Sequence, residues 1–509
     1  MRALERPRFE TQVNKIGFAK YKSTTYLLLL TAVTLIIHGY HPYVEDAEIY
    51  LPAVERILNP QVFPVGQEFF KSHASMTLFP NLVAGSLRFT HLPFETGLLL
   101  WHVTSIFLLL LACWELSCIL FSRARARWGA VGLVAALLTI PVAGTALYIM
   151  DQYLNPRNLG AFAGILAVVR TLEKKYIWAL VWIVFAACIH PLMWFFPASF
   201  CVLWIVLERF QEQIGRVFTH RTVTAPVGLG LLLVPLAQQD TVGYREAAKL
   251  HAYHYIQHWE WYEWLGVVAP LALFWGIEKI ARKREWSTLA GMSRAFAIYG
   301  VIYLVGALTV DLPAQFERLA RVQPLRSLHL EYVVLFLFLG GLLGEFVLKE
   351  SVWRWLLLFV PLCIGMFVGQ RALFPRSAHL EWPNLAPRNP WAQAFVWIRE
   401  NTPVDAVFAL DPGYMHIAGE DEIGFRCLAQ RSRLADAVKD NGVVSMFPSL
   451  AGEWWTQVQA QSPWRDFKAA NLVQLQRNAG VSWVVLEQPG IAGLTCPYQN
   501  STVQVCQLR

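Results

Sequence analysis

Three carboxylates fall within four positions of one short stretch, His41-Pro42-Tyr43-Val44-Glu45-Asp46-Ala47-Glu48-Ile49-Tyr50. A carboxylate facing a partly dehydrated cavity can hold a divalent cation or serve as a general base. The same residues can also do no more than charge the N-terminus of the helical stretch that follows, 49–58. Their setting is unusual. An apolar run, 24–39, ends only a few residues earlier, and acids that close to a bilayer are expensive without a task or a partner. Asp46, with Glu45 beside it, is therefore the first candidate for chemistry, and Asp46 is the candidate metal ligand.

Other groups of the right type lie in later polar loops. Asp151, in Met150-Asp151-Gln152-Tyr153, can act as a second acid or as a helix-end cap. Arg157 follows it, and a guanidinium suits a phosphate because it donates two parallel hydrogen bonds; the alternative is an arginine snorkelling to the interface. Loop 311–327 carries Arg318, Arg321 and Arg326 against Asp311 and Glu317. An anionic ligand or lipid headgroups would explain that excess, and Arg326 stands nearest a span. His251, His254 and His258 repeat at i, i+3, i+7, one face if helical, so a zinc site is conceivable there. The neighbouring Trp259, Glu260, Trp261 and Tyr262 read more simply as an interfacial aromatic belt, or as a sugar platform with His258, Trp259 and Glu260 in contact with the ligand. His190, beside Pro191, either lines the same cavity or ends a helix.

The elements that must position these groups are apolar helices. Hydrophobic residues make up 55% of the 509, charged residues only 16%, and mean hydropathy is +0.39; a soluble domain carries about 25% charge. Spans are predicted near 22–40, 95–121, 128–149, 157–172, 176–190, 191–208, 222–238, 263–280, 292–310, 328–348 and 352–371. The net charge of +7 does not point to nucleic acid, because the basic residues gather between apolar runs. With the N-terminus inside, every inner loop is basic, from Arg123/Arg125/Arg127 to Lys349/Arg354. Residues 75–89 would invert that pattern as a span and are assigned to a helix lying on the outer surface. No cleavage site follows the basic N-terminal stretch, so the first span is expected to act as an uncleaved signal anchor.

After Arg371 the composition turns ordinary. Helices are predicted at 391–400, 448–460 and 464–479, and strands at 405–410, 480–486 and 502–508. The expectation is thus an α-helical polytopic membrane protein of about eleven spans (1–371, with an outer loop 40–74) and a small extracytoplasmic α/β domain (372–509). A disulfide between Cys496 and Cys506 is plausible in an oxidising compartment, leaving Cys427 free.

An anchor span, then an acidic pair, a short helix and a surface-lying helix: this order resembles the GT-C superfamily of integral-membrane glycosyltransferases, which includes protein O-mannosyltransferases and the aminoarabinose transferases of lipid A. The resemblance is architectural and rests, as residues, on the short acidic loop. It implies transfer of a sugar from a polyprenyl-phosphate carrier to an acceptor on the outer face of a cell membrane, with Asp46 or Glu45 as base or metal ligand, Asp151 as second acid, inversion at the anomeric carbon, and membrane lipids as partners. The rival expectation is a non-catalytic lipid or glycolipid transporter. No Walker loop, Rossmann glycine pattern, Gly-x-Ser-x-Gly or His-Glu-x-x-His occurs, so soluble nucleotide chemistry has no motif to rest on.

Overall fold

The computed structural model describes residues 9–217, 241–251, 253, 255–311 and 322–508. The expected span 222–238, together with His254, Arg318 and Arg321, lies outside them. The first fourteen helices are α1 (Phe9–His38), α2 (Ala47–Leu58), α3 (Glu68–Ala74), α4 (Phe79–Thr90), α5 (Phe94–Leu120), α6 (Ala124–Ala136), α7 (Pro156–Leu172), α8 (Tyr176–Ile189), α9 (Phe195–Val217), α10 (Val242–Lys249), α11 (Trp261–Lys283), α12 (Ser287–Asp311), α13 (Ser327–Leu343) and α14 (Val352–Leu373).

Among the described residues five helices are long and apolar enough to cross a membrane: α5, α11, α12, the stretch Pro324–Leu348 that contains α13, and α14. Ser23–His38 of α1 and all of α8 are apolar but shorter. The chain is a helical membrane protein, but the eleven crossings expected from hydropathy are not met. The expected span 128–149 shows why. α6 stops at Ala136, a few residues ahead of Pro141, which cannot continue a helix. The chain then runs irregularly to Asn155, with one bridge between Pro141 and Tyr148. Its Leu138, Val142, Leu147 and Ile149 are buried in protein, the setting in which non-helical backbone is tolerated at such depth. Hydropathy reports apolar sequence without distinguishing a lipid neighbour from a protein one.

Small residues let α6 and α13 cross closely. A Cβ added at Gly129 would sit 2.4 Å from the carbonyl oxygen of Gly340, so the two backbones meet through glycine. Within the stretch 75–89 lies most of α4, which is not among the five candidate crossings; its Phe79, Val83 and Leu87 are buried, while Phe89 is 87% exposed.

The C-terminal part adds α15 (Pro390–Asn401), β1 (Val407–Ala409), α16 (Arg426–Ala429), β2 (Ser432–Arg433), α17 (Asp440–Met446), α18 (Ala451–Ala460), α19 (Ala469–Ala479), β3 (Trp483–Glu487), β4 (Thr495–Gln499) and β5 (Val503–Gln507). The sheet order is β2-β1-β3-β5-β4, parallel from β2 to β3 and antiparallel around β5. Three of its strands were predicted. β2 is too short to leave a pattern, and β4 is a half-exposed edge. Cys496 and Cys506 form the expected disulfide between β4 and β5, and Cys427 is buried and free. This part is not held at arm's length. One hydrophobic core runs from Leu27 of α1 to Val505 of β5, and isolated bridges join Tyr40 to Leu380 and Val44 to Ile423.

Candidate active site

Asp46 occupies the N-cap position of α2, yet its side chain makes no capping hydrogen bond. It turns instead to two cations. Arg157 Nη1 donates to Asp46 Oδ2 at 3.1 Å, and Lys439 Nζ lies 3.6 Å from Oδ1. The reading of Asp46 as a plain helix-terminal charge therefore does not describe it. The backbone N–H of Asp46 donates to the Tyr153 hydroxyl at 3.2 Å. Glu45, at φ 57°, takes a conformation rarely adopted by residues with a Cβ and associated with functional sites. That twist lets Glu45 also pair with Lys439.

Asp151 and Arg157 arrive together because the loop between α6 and α7 folds on itself. Asn155 caps α7 by accepting from the Arg157 N–H at 2.9 Å, and Pro156 sits at the first helical position. Asn158 accepts from the Asp151 N–H and donates to the Tyr153 carbonyl. Arg157 Nη2 then meets both Asp151 oxygens, at 3.0 and 3.1 Å. One guanidinium thus bridges two acids that come from different loops.

The two acids are driven apart. Burial would raise the Asp46 carboxyl, but Lys439, then Arg157 and Arg326, overcome this and hold it at about 2. Burial raises Asp151, and Arg157 only partly offsets it. The Asp46 side chain remains 25% exposed and that of Asp151 only 4%. Opposite shifts in neighbouring titratable groups commonly mark an acid–base site.

Arg326 closes a short 3-10 turn, Pro324–Arg326, at the head of α13. Among the described residues its Nε is buried with no partner. It lies within electrostatic reach of Arg157, Tyr253, Tyr50 and Asp46 and lines a small recess with Thr145, Tyr253 and Trp259. A buried donor left unpaired costs about 1–3 kcal/mol, and an anion placed there would remove that cost.

The remaining candidates divide. Trp259 joins the recess, its indole N–H donating to the Tyr253 carbonyl at 2.9 Å. His258 is exposed. Glu260 is the N-cap of α11, engaged in a capping box with Glu263, so its work is structural. The predicted helical face through His251 and His258 does not form. A turn and a separate 3-10 turn, Ile256–His258, take its place. His190 ends α8, and its Nδ1 accepts from the N–H groups of Leu192 and Met193. It does border the cluster, within electrostatic reach of Arg326 and Arg157.

Among the described residues no three His, Cys, Asp or Glu side chains gather as a metal site would need. The two Asp46 oxygens face cationic side chains, so the donor set does not fit a divalent ion. Residues that sequence reasoning missed are Lys439, Glu422 and His73. Lys439 comes from the start of α17, 394 positions beyond Glu45, and also lies 3.7 Å from Glu422. His73 packs its ring edge-on to Tyr50 at 5.0 Å, and burial holds it at about 4, so it stays neutral. No local pattern marks any of the three.

No family model matches the chain, and no curated protein matches it either.

Proposed function

We propose that the chain is a membrane glycosyltransferase of the GT-C type, moving a sugar from a polyprenyl-phosphate carrier to an acceptor hydroxyl at the outer face of a cell membrane. The observation that carries this reading is the convergence of Asp46, Asp151 and Arg157, with the unpaired Arg326 beside them, at one end of a bundle of apolar helices. The basic residues Arg123, Arg125, Arg284 and Lys349 meet elsewhere, at a cleft by the far end of α5, which favours an orientation with those groups inside.

The chemistry follows from the charges. The donor phosphate would draw on Arg326 and Arg157, neither of which is satisfied by a single acid. As Arg157 turns toward the phosphate, it loosens its hold on Asp46, whose basicity then rises from its depressed value. The acceptor oxygen attacks the anomeric carbon while the carbon–oxygen bond to phosphate breaks. The electron pair leaves on the phosphate, where the guanidinium groups stabilise the charge, and the acceptor proton passes to Asp46. A single displacement inverts the anomeric centre. Asp151, shielded from solvent, keeps Arg157 in place.

Incubating the purified full chain with radiolabelled polyprenyl-phosphate sugars tests the proposal. Label must appear in an acceptor with inverted configuration, and a panel that transfers nothing sinks the reading. Arg326→Gln is expected to raise the donor KM roughly tenfold or more through loss of a charge-assisted contact; an unchanged donor KM would remove Arg326 from the site. Glu331 separates this reading from transport. It is fully buried in α13 and one of its oxygens has no partner among the described residues, as intramembrane acids of transporters often are. Glu331→Gln is expected to leave sugar transfer within a few-fold of the parent. Loss of lipid translocation in that variant, with no transfer activity in either protein, would favour the transporter.

A further inference from the structure

The end of the bundle away from the acid cluster has a cleft of its own, about 490 Å³. It lies between the α5–α6 turn, the α11–α12 turn and a π-helical turn, Gly344–Leu348, that follows α13. Arg123, Arg125, Arg284 and Lys349 line it, against one lining acid, Glu345. Glu345 accepts from Arg123 at 2.5 Å and from Arg125 at 3.4 Å. Arg125 also meets Glu350 at 3.0 Å, but the Glu350 side chain is 87% exposed, where water weakens the pair. Arg284 and Lys349 form no ion pair among the described residues. Even with Glu350 counted, two of the four cations are unmatched.

Membrane topology gathers cations on one side of a bilayer, but it does not ask them to share one concavity. Three local features go further. The guanidinium of Arg284 lies over the Phe346 ring, 5.1 Å from its centre, and Trp286 stacks on the same ring at 5.7 Å. A cation held by a ring face keeps its N–H donors for an anion. Lys349 adopts φ 50° and ψ −136°, a strained backbone that glycine would take at little cost, yet the position carries a lysine. Arg123 is the N-cap of α6 and makes no side-chain cap, and the first turn holds Arg125 and Arg127 with no acid. Cations there oppose the helix dipole, and an anion in the cleft would relieve them.

The position of the cleft indicates where the anion comes from. Among the candidate crossings, α5, α11 and the stretch Pro324–Leu348 end beside it, and α12 begins there. Ile280, one turn before Arg284 on α11, is 44% exposed, and Val347, two residues before Lys349, is 50% exposed. An anion in the cleft therefore sits at the level where apolar helices stop, with exposed aliphatic side chains just below it.

We propose that this cleft is a phosphate site that takes the phosphodiester of an anionic phospholipid. Arg284 and Lys349 donate to the phosphate oxygens, Arg123 and Arg125 add to the field, and the acyl chains lie against Ile280 and Val347. Binding here needs no sugar transfer, and the carrier-linked donor belongs at Arg157 and Arg326, at the other end of the bundle.

Native mass spectrometry of the purified full chain, titrated with phosphatidylglycerol and in parallel with phosphatidylcholine, tests this. The anionic lipid is expected to bind roughly tenfold more tightly. Arg284→Gln/Lys349→Gln is expected to weaken its binding about tenfold while melting, lipid-free, with the parent, because no ion pair is lost. Lys279→Gln/Lys283→Gln removes the same charge from α11 outside the cleft and is expected to bind as the parent does. Equilibrium dialysis of the lipid-free chain against radiolabelled inorganic phosphate supplies the soluble arm, and no retention is expected. Equal binding of the two lipids, parental affinity in the cleft variant, or an equal loss in both variants overturns the proposal. Phosphate retained by the parent and lost in the cleft variant gives the site to a soluble anion and overturns the lipid assignment.

Discussion

Replacing Asp46 with asparagine is expected to lower sugar transfer by roughly 10²–10⁴-fold, the range a positioned general base contributes. The substitution keeps the volume and one acceptor oxygen. Arg157 retains both contacts to Asp151, and Lys439 retains Glu45 and Glu422. No buried cation is therefore stranded, and the variant should express and melt close to the parent. Donor binding should survive, since Arg326 and Arg157 are untouched, so the loss should appear in kcat more than in the donor KM. Parental activity in Asp46→Asn would remove the assigned base. A variant that loses activity only because it no longer folds would show as a lowered melting temperature, and Asp46→Glu then separates the cases by partial retention of activity.

The second large effect concerns what holds Lys439 against Asp46. Arg426, 2% exposed, donates from Nη1 and Nη2 to the two oxygens of Asp440 at 2.9 and 2.8 Å and approaches Glu48 at 3.4 Å. Asp436 lies 3.8 Å away, and the Cys427 N–H donates to Glu48 at 3.2 Å. Gly424 makes room, because a Cβ there would fall 2.7 Å from a Glu48 oxygen. Glu48 stands two residues after Asp46 on α2, and Asp440 directly follows Lys439 on α17. The buried ions therefore set the register between the first loop and the C-terminal domain. Burial is the larger influence on Glu48 and carries it up to about 7 despite Arg426.

Arg426→Met strands Glu48 and Asp440 without their main counter-charge and leaves Asp436 with Arg433 alone. It is expected to destabilise the protein by roughly 3–5 kcal/mol, the cost of breaking a buried ion pair from one side. Denaturant unfolding in detergent reads the loss directly. Adding Glu48→Leu and Asp440→Leu removes the orphaned charges and should recover most of it. A single variant within about 1 kcal/mol of the parent, on the scale of an exposed pair, or a triple variant worse than the single, would contradict this account of the interlock.

The first-loop acids, the helical membrane character, the helix α4 in place of a crossing, three of the strands and the disulfide were legible in the chain because each leaves a local pattern. Acids next to an apolar run, period-two strands and paired cysteines are signals within a few residues of each other. Asp151 and Arg157 were legible as types but not as a pair with Asp46, because the Asn155 and Asn158 contacts that fold their loop are side-chain geometry. Lys439 and Glu422 were invisible for a different reason: they reach the site only because the sheet domain docks on the first loop. The crossings were over-read where residues 137–155 are apolar for the sake of protein neighbours. His258 and Glu260 could not be placed from type alone, because a capping box and an exposed turn share residue types with a sugar site.

The most direct test of the shared site is a structure of the full chain with a non-transferable polyprenyl-phosphate sugar. The proposal requires the phosphate within hydrogen-bond distance of Arg326 and Arg157, with the anomeric carbon facing the Asp46 carboxylate and the lipid tail running out among the apolar helices. A phosphate bound at the basic end near Arg123 and Arg284, or a sugar on a side of the bundle that Asp46 does not face, would contradict it.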